Sequence, residues 1–172
     1  MRCRTLFSGG SDSFVRAHNV DQPSEDSQLI EYFEGDVTSL SCSFDSLVAC
    51  DTEGQTALFS LEHGHAFKAL LTRADPGAAT RCVRFGVGGR KIAVATDELT
   101  VKVIDVRSPT ENIHLLEGHT KPVKAVSWNP DGSILTTSSC DGSLRIWDMA
   151  SAQSEPTCLK TIDGLFPSSD IV

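Results

Sequence analysis

Five histidines offer the most varied side-chain chemistry in this sequence, and none of them stands in a catalytic pattern. They are His18, His63, His65, His114 and His119. The chain contains no HExxH pair for zinc-dependent hydrolysis, no GxSxG turn for a nucleophilic serine, and no GxGxxG or Walker loop for phosphates. The sequence therefore predicts a protein that is not an enzyme and has no catalytic residues.

Two short segments could be taken for metal or phosphate sites. Glu62, His63 and His65 could bind a metal at a surface turn, but a solvated turn explains them equally well. The run Gly86 to Gly89 follows a predicted strand and leads into another strand, whereas phosphate-binding loops need a helix amino terminus behind them. We interpret the run as a hairpin turn. We predict no cofactor, no metal site and no small-molecule substrate.

The cysteines do not form a metal or redox motif. They are Cys3, Cys42, Cys50, Cys82, Cys140 and Cys158, and no two of them make a CxxC pair. Such a pair is what a structural zinc site or a thioredoxin-like motif would need. We expect reduced thiols packed in a core, as is usual in the nucleus or cytosol.

One histidine instead suits a structural network. His119 precedes a predicted strand, Asp141 lies in a turn, and Trp147 ends the strand after that turn. An imidazole can donate to the carboxylate and accept from a strand hydroxyl, which leaves that hydroxyl free to accept the indole N–H. Its position assigns the hydroxyl to Thr137. We predict that these four side chains form a network that stabilises the fold.

These residues belong to the last of four similar segments. Each segment is a short β-prone run, a polar turn and an alternating strand. The four segments are SGGSDSFVRAHN (8–19), ACDTEGQTALFS (49–60), VATDELTVKVID (94–105) and TSSCDGSLRIWD (137–148). Their equivalent positions Arg16, Ala57, Lys102 and Arg145 are 41, 45 and 43 residues apart. With the further strand-like segments around them, this period is typical of the four-stranded blade of a β-propeller.

The repeat predicts an all-β fold, namely a partial WD-type β-propeller with three to four blades of an expected seven. We assign an incomplete blade to residues 5–35 and further blades to residues 36–75, 80–117 and 118–163. At about 43 residues per blade the 172 residues make four units, which is too few for a closed ring. We therefore expect the chain to be a fragment of a longer propeller.

Negative charge is concentrated in one part of the chain. Residues 17–67 contain ten Asp and Glu and no Lys or Arg, which accounts for the net charge of −8. Such a segment repels phosphates, so it is better suited to a basic protein partner, or to keeping loops solvated, than to DNA. Residues 68–172 are balanced, with 12 basic and 12 acidic side chains. A weak contact with DNA or chromatin is therefore expected only of a longer protein, and no apolar stretch suggests a membrane.

The sequence of these segments resembles known proteins. EGHTKPVKAVSWNPDGSILTTSSCDGSLRIWDM, residues 117–149, resembles a WD repeat. The succession of DSFVRAHN, DVTSLSCSFDSLVACDTEGQTALFSL and CVRFGVGGRKIAVATDELTVKVIDV resembles the amino-terminal propeller of a replisome adaptor family. That family includes chromosome transmission fidelity factor and acidic nucleoplasmic DNA-binding protein, and accessory factors of DNA polymerase α. The likeness extends from Leu6 to about Ile162, and includes a strand with Ile104 where the last repeat has Trp147.

The resemblance implies a nuclear, non-enzymatic protein-interaction scaffold of DNA replication. Members of the family link the replicative helicase to DNA polymerase α primase on chromatin and act in sister-chromatid cohesion. They bind these two partners through a later trimeric propeller and a helical bundle. No residue of this chain corresponds to that region, so no partner-binding residue is carried over.

Two other binding roles remain open. Asp105 and Arg107 follow a strand and resemble the end of the WDxR box of substrate receptors in cullin-type ubiquitin ligases, although the tryptophan is missing. These two residues are therefore candidates for contact with the ligase adaptor. The third role is that of a generic WD-repeat adaptor.

Overall fold

Antiparallel β-strands make up most of the regular structure of the chain. The computed structural model describes residues 5–22, 24, 26–61, 67–74, 78–108, 112–150 and 155–164. Within these ranges it contains fifteen strands, one short 3-10 turn at Val87–Gly89 and no α-helix. None of the described residues therefore lies in a helix long and apolar enough to cross a membrane. The all-β class expected from the sequence is confirmed.

The strands form four antiparallel sheets, each built from strands that follow one another in the chain. The first sheet contains β1 (Thr5–Gly9), β2 (Phe14–Asn19) and β3 (Gln28–Tyr32). The second contains β4 (Val37–Cys42), β5 (Ser46–Asp51), β6 (Gln55–Leu61) and β7 (Phe67–Ala74). The third contains β8 (Thr80–Phe85), β9 (Lys91–Thr96), β10 (Val101–Asp105) and β11 (Asn112–Leu116). The fourth contains β12 (Val123–Trp128), β13 (Ile134–Ser139), β14 (Leu144–Asp148) and β15 (Thr157–Ile162).

Apolar layers between neighbouring sheets hold the sheets together. Successive side chains of a strand point to opposite faces, so a strand between two other sheets is apolar on both faces. In β5 every residue is buried. Leu47 and Ala49 pack with the first sheet, whereas Val48 and Cys50 pack with the third. Burying one large aliphatic side chain contributes about 1.5–3 kcal/mol, which makes these layers a major source of stability.

The first strands of the last three sheets lie side by side, with β4 against β8 and β8 against β12. Sheets that stack in sequence order through their first strands are the blades of a propeller. The expected partial propeller is therefore confirmed. The exact residues at which one blade ends and the next begins stay a prediction.

A similar turn occurs once in every sheet, between β1 and β2, β5 and β6, β9 and β10, and β13 and β14. In each turn one residue adopts a left-handed backbone, with φ between 63° and 84°. These residues are Ser13, Gly54, Leu99 and Gly142. An acidic residue precedes each of them: Asp12, Glu53, Glu98 and Asp141. A left-handed backbone is costly for residues other than glycine, so the turn geometry is imposed by the strand pairing even where Ser13 and Leu99 occupy it.

Some local expectations need correction. The sequence did not indicate β3, whose residues alternate poorly between apolar and polar. The expectation of core cysteines is right for Cys50 and Cys82 but wrong for Cys42 and Cys158, which are exposed because they lie at the outer end of a first strand and on an outer strand. The five cysteines within the described ranges are all free thiols.

Candidate functional site

The four residues predicted to form a network lie in direct contact. His119 Nε2 is 2.7 Å from Thr137 Oγ1, and His119 Nδ1 is 2.9 Å from Asp141 Oδ2. The Trp147 indole N–H donates to Thr137 Oγ1 at 3.0 Å. One arrangement satisfies all three contacts, with the imidazole proton on Nδ1 and the threonine hydroxyl donating to Nε2. Every polar atom at the centre of the network then has a partner.

Three elements of the fourth sheet position these side chains. Thr137 lies on β13 and Trp147 on β14, while Asp141 begins the turn between these strands. Trp147 is paired in register with Leu135, which places the indole in the apolar layer shared with the third sheet. His119 lies before β12 and is almost completely buried. The network therefore ties the entry of the first strand to the turn between the second and third.

Asp141 accepts more hydrogen bonds than the sequence suggested. Ser143 donates to Asp141 Oδ1 through its hydroxyl at 2.6 Å and its backbone N–H at 2.8 Å. The backbone N–H of Thr120 donates to Oδ2 at 3.0 Å. Burial of Asp141 opposes ionisation, but the hydrogen bonds from Ser143, Thr120 and His119 outweigh it and hold the pKa of the carboxyl well below its usual range. A serine two residues after a turn aspartate was the available signal for Ser143.

The first and third sheets have different residues at the positions of Thr137 and Trp147. In the first sheet His18 Nε2 lies 2.7 Å from Ser8 Oγ, at the positions that Trp147 and Thr137 hold in the fourth. In the third sheet Val94 and Ile104 take these positions and are packed in an apolar layer. Since the side chain of Ile104 has no N–H group, it needs no hydroxyl acceptor beside it.

An ion pair strengthens the same end of the third sheet. Arg81 donates to Asp97 through Nε at 2.8 Å and through one terminal nitrogen at 2.6 Å. These hydrogen bonds lower the pKa of Asp97 and raise the pKa of Arg81, in each case against desolvation. Both side chains are about one-third exposed, so solvent screening limits what the pair contributes to stability.

Asp105 and Arg107, the predicted ligase-adaptor contacts, lie at the opposite end of the third sheet. Asp105 is the last residue of β10, and its Oδ1 accepts the backbone N–H of Arg107 at 2.8 Å. Arg107 is exposed. The preceding Ile104 is buried, so the position of the missing tryptophan belongs to the core.

No cation site is formed by the part of the chain that the structure describes. Within it, no group of three or more His, Cys, Asp or Glu side chains could hold a metal ion. Glu62, His63 and His65, which we considered as a surface metal site, lie outside the described residues. Gly86 to Gly89 connect the antiparallel strands β8 and β9 through the 3-10 turn.

A model of the WD domain, G-beta repeat, matches residues 110–148, the segment that contains all four network residues. The chain therefore contains a WD repeat. The first, second and third sheets have His18, Phe59 and Ile104 at the position that Trp147 holds in the fourth.

The chain is also similar to longer proteins, and to two of them along nearly its whole length. It is 29% identical over 165 residues to WD repeat and HMG-box DNA-binding protein 1 of Mus musculus, covering 95% of this chain and 14% of the relative. The Xenopus laevis protein of the same name is 36% identical over 102 residues, 59% of this chain and 8% of the relative. Minichromosome loss protein 1 of Schizosaccharomyces pombe is 25% identical over 170 residues, 96% of this chain and 20% of the relative. The chain thus spans one-fifth or less of the length of these relatives.

Proposed function

We propose that this WD-repeat protein is a non-enzymatic interaction scaffold of the nuclear DNA replication machinery. In this role it would help to link the replicative helicase and DNA polymerase α primase on chromatin. The interaction class follows from the fold, since propeller blades present loops from rigid sheets. The assignment to DNA replication is more specific than the interaction class, and it rests on the sequence similarity to the relatives.

One observation supports the assignment to DNA replication. The similarity to WD repeat and HMG-box DNA-binding protein 1 covers 95% of this chain, and that to Minichromosome loss protein 1 covers 96%. It therefore includes the first three sheets, which lack the tryptophan of the WD repeat. Similarity confined to the last repeat would indicate only the fold, whereas similarity through divergent blades supports a shared role.

The charge of the described surface is compatible with a protein partner. Glu34, Asp36 and Glu53 are exposed in adjoining loops of the first two sheets. The loops are tied together, because the backbone N–H of Asp36 donates to Thr52 Oγ1 at 3.1 Å. A surface of this sign attracts basic proteins and repels the DNA backbone. We therefore expect any direct contact with DNA to be made by other parts of a longer protein.

Affinity purification of the endogenous protein tests the proposal. A tag is added at the native locus, and chromatin fractions from S-phase cells are treated with nuclease to remove DNA bridges. We expect subunits of DNA polymerase α primase and of the replicative helicase to be enriched over a tag-only line and over cells in G1. Recovery of neither complex from nuclear extract would contradict the replication assignment.

A substrate receptor of a cullin-type ubiquitin ligase is the second candidate. It is favoured by the exposed Arg107, whose backbone is fixed by Asp105 at the end of β10. The same purification would then recover the ligase adaptor, and Arg107→Ala would remove it. Lys121→Ala, which removes an exposed cation at the other end of the blades, is the matched control. If the purification recovers neither replication proteins nor the ligase adaptor, the interpretation that remains is a generic WD-repeat adaptor.

A further inference from the structure

An acidic residue and a cation four positions after it recur at the turns that contain a left-handed residue. The pairs are Asp12 and Arg16 in the first sheet, Glu98 and Lys102 in the third, and Asp141 and Arg145 in the fourth. In the first and third sheets the two side chains form an ion pair, with 3.1 Å between Lys102 Nζ and Glu98 Oε2 in the third. In the fourth sheet they do not, because hydrogen bonds from His119 and from neighbouring backbone N–H groups already hold the Asp141 carboxylate. The fourth sheet therefore has a cation whose usual partner is engaged elsewhere.

Arg145 is packed against the part of the chain that precedes β12. Its guanidinium lies so close to Gly118 that a Cβ at that position would collide with it. Gly118 also has a φ of 135°, which residues other than glycine rarely adopt. The Nε atom of Arg145 is buried and has no hydrogen-bond partner in the part of the chain that the structure describes. Since buried polar atoms almost always have a partner, this position of the arginine side chain costs free energy.

The first sheet shows the same turn with its cation bound. There, Asp12 Oδ1 accepts the backbone N–H two residues later at 3.3 Å, and Oδ2 pairs with Arg16. In the fourth sheet, Asp141 Oδ1 likewise accepts the backbone N–H two residues later, at 2.8 Å. Its Oδ2 accepts instead from the imidazole of His119 and from the backbone N–H of Thr120. The main difference between the two turns is therefore the group that occupies Oδ2.

Residues 117–120, here called the strap, lead from the end of β11 in the third sheet toward β12 in the fourth. The strap is attached to the turn through the two donors to that carboxylate oxygen. The next two residues are anchored separately. The backbone C=O of Lys121 accepts the Ser139 hydroxyl at 2.7 Å, and that of Pro122 accepts the Cys140 N–H at 3.0 Å. The strap can therefore leave the turn while β12 stays paired with β13.

We propose that the strap has two ordered states and that Arg145 replaces it at Asp141 when it opens. The closed state is the one described above. In the open state the guanidinium leaves Gly118 and pairs with Asp141 Oδ2, as the corresponding side chains do in the first sheet. The turn then keeps a partner for its carboxylate, so the strap moves without unfolding the turn. The connection between the third and fourth sheets is thereby a conformational device, and Arg145 is its reserve partner.

The direction of the Arg145 effect distinguishes this role from simple packing. In the closed state the arginine has a buried Nε without a partner, and in the open state it forms an ion pair. Both effects favour opening, so removal of the guanidinium should hold the strap closed. If Arg145 served only to pack on Gly118, its removal should loosen the strap instead.

Amide hydrogen exchange of the 172-residue chain, followed by NMR, measures the opening of the strap directly. Arg145→Met keeps an unbranched side chain and removes the charge. It should slow exchange of the Thr120 N–H about fivefold more than that of the Cys140 N–H, which is the equilibrium effect of one partly exposed ion pair. Arg16→Met removes the cation of the first sheet and should leave the ratio of these two rates unchanged. Faster exchange of Thr120 in Arg145→Met, or an equal change at Thr120 and Cys140, would overturn the proposal.

A thermodynamic cycle gives an independent check. His119→Ala releases the strap, so Arg145 should hold Asp141 in that variant. Adding Arg145→Met should then raise the equilibrium constant for unfolding, measured in urea, about fivefold, whereas the same change in the wild type should not raise it. Arg16→Met should have equal effects in the two backgrounds, and equal effects of Arg145→Met would contradict the proposal. The exchange experiment decides the question even if His119→Ala does not fold, and neither experiment involves a partner protein, so both are independent of the replication assignment.

Discussion

The second and fourth sheets have the same strand order and the same turn, yet different chemistry holds the turn in place. In the fourth sheet, His119 and Asp141 connect the turn to the residues before β12. In the second sheet, the Asp51 carboxylate makes this connection, beside the hydrogen bonds between Thr52 and Asp36. Asp51 Oδ1 accepts the N–H groups of Glu53 and Gln55 at 3.1 and 2.7 Å, while Oδ2 accepts that of Gly35 at 3.1 Å.

Within each of the two sheets, the residues at these positions match one another chemically. Phe59 of the second sheet takes the position of Trp147, and its side chain has no N–H group that needs an acceptor. Ala49 takes the position of Thr137 and offers no hydroxyl, and both second-sheet residues are buried in an apolar layer. A polar network is favourable only when every member is satisfied. The comparison teaches that a blade can lose the tryptophan, threonine and histidine together, provided that another group connects its turn to the first strand.

The largest expected effect is the loss of the carboxylate in the second sheet. Asp51 is fully buried, and Asp51→Ala leaves three backbone N–H groups without an acceptor. We expect the free energy of unfolding to fall by about 3–5 kcal/mol, measured by urea denaturation. Glu53→Ala removes an exposed carboxylate two residues away and should change stability by less than about 0.5 kcal/mol. Similar values for both variants would mean that Asp51 does not hold the turn.

The next effect belongs to the network of the fourth sheet. His119→Ala leaves the Asp141 carboxylate and the Thr137 hydroxyl each without one partner, which should cost about 1–3 kcal/mol. We expect a lower Tm with unchanged binding of partner proteins, since the imidazole is buried. The measurement is a thermal melt beside the same purification used above. A variant that melts like the wild type would argue against a stabilising network.

The dependence of stability on pH tests the contribution of Asp141 to the fourth sheet. The pKa of Asp141 is lowered in the folded protein, so the carboxylate contributes stability that is fully present above its unfolded pKa near 4. This contribution is lost as the pH falls below that value toward the folded pKa. We expect the stability difference between the wild type and Asp141→Asn to be constant from pH 7 to about 5 and to shrink at lower pH.

Urea midpoints at a series of pH values give this difference directly. Because other carboxylates titrate in both proteins, the comparison with Asp141→Asn isolates the contribution of this one group. A difference that stays constant to the lowest measurable pH would show that ionised Asp141 contributes nothing to the fold.

The sequence predicts much of this architecture because it is repetitive. The limits of β4, β12 and β15 follow directly from β-prone segments bounded by turns. The partners of His119 could be inferred because imidazole, carboxylate, hydroxyl and indole have complementary donors and acceptors, and the WD spacing places them. β3 could not be predicted, since its side chains are mostly half-buried or exposed and its residues show no clear alternation.

The contacts that escaped sequence reasoning depend on packing between distant segments. Asp51 looks like an ordinary turn residue in the sequence DTEG, and only the approach of Gly35, sixteen residues earlier, buries it. His114 looks like a polar residue of an outer strand, and only the stacking of the third and fourth sheets places it in a groove. Both residues owe their environment to tertiary structure, which local patterns do not encode.

The smallest expected effect tests whether the two sets of residues are interchangeable. The double variant Thr137→Ala with Trp147→Phe gives the fourth sheet the pair found in the second. Trp147→Phe removes a donor to Thr137, and Thr137→Ala leaves the indole N–H and His119 Nε2 without a partner. The double variant avoids the unpaired indole, so its loss of stability should be about 1 kcal/mol smaller than the sum of the two single losses. Strict additivity in a double-mutant cycle would mean that Trp147 and Thr137 act independently, and that the matched residues of the second sheet do not form a set.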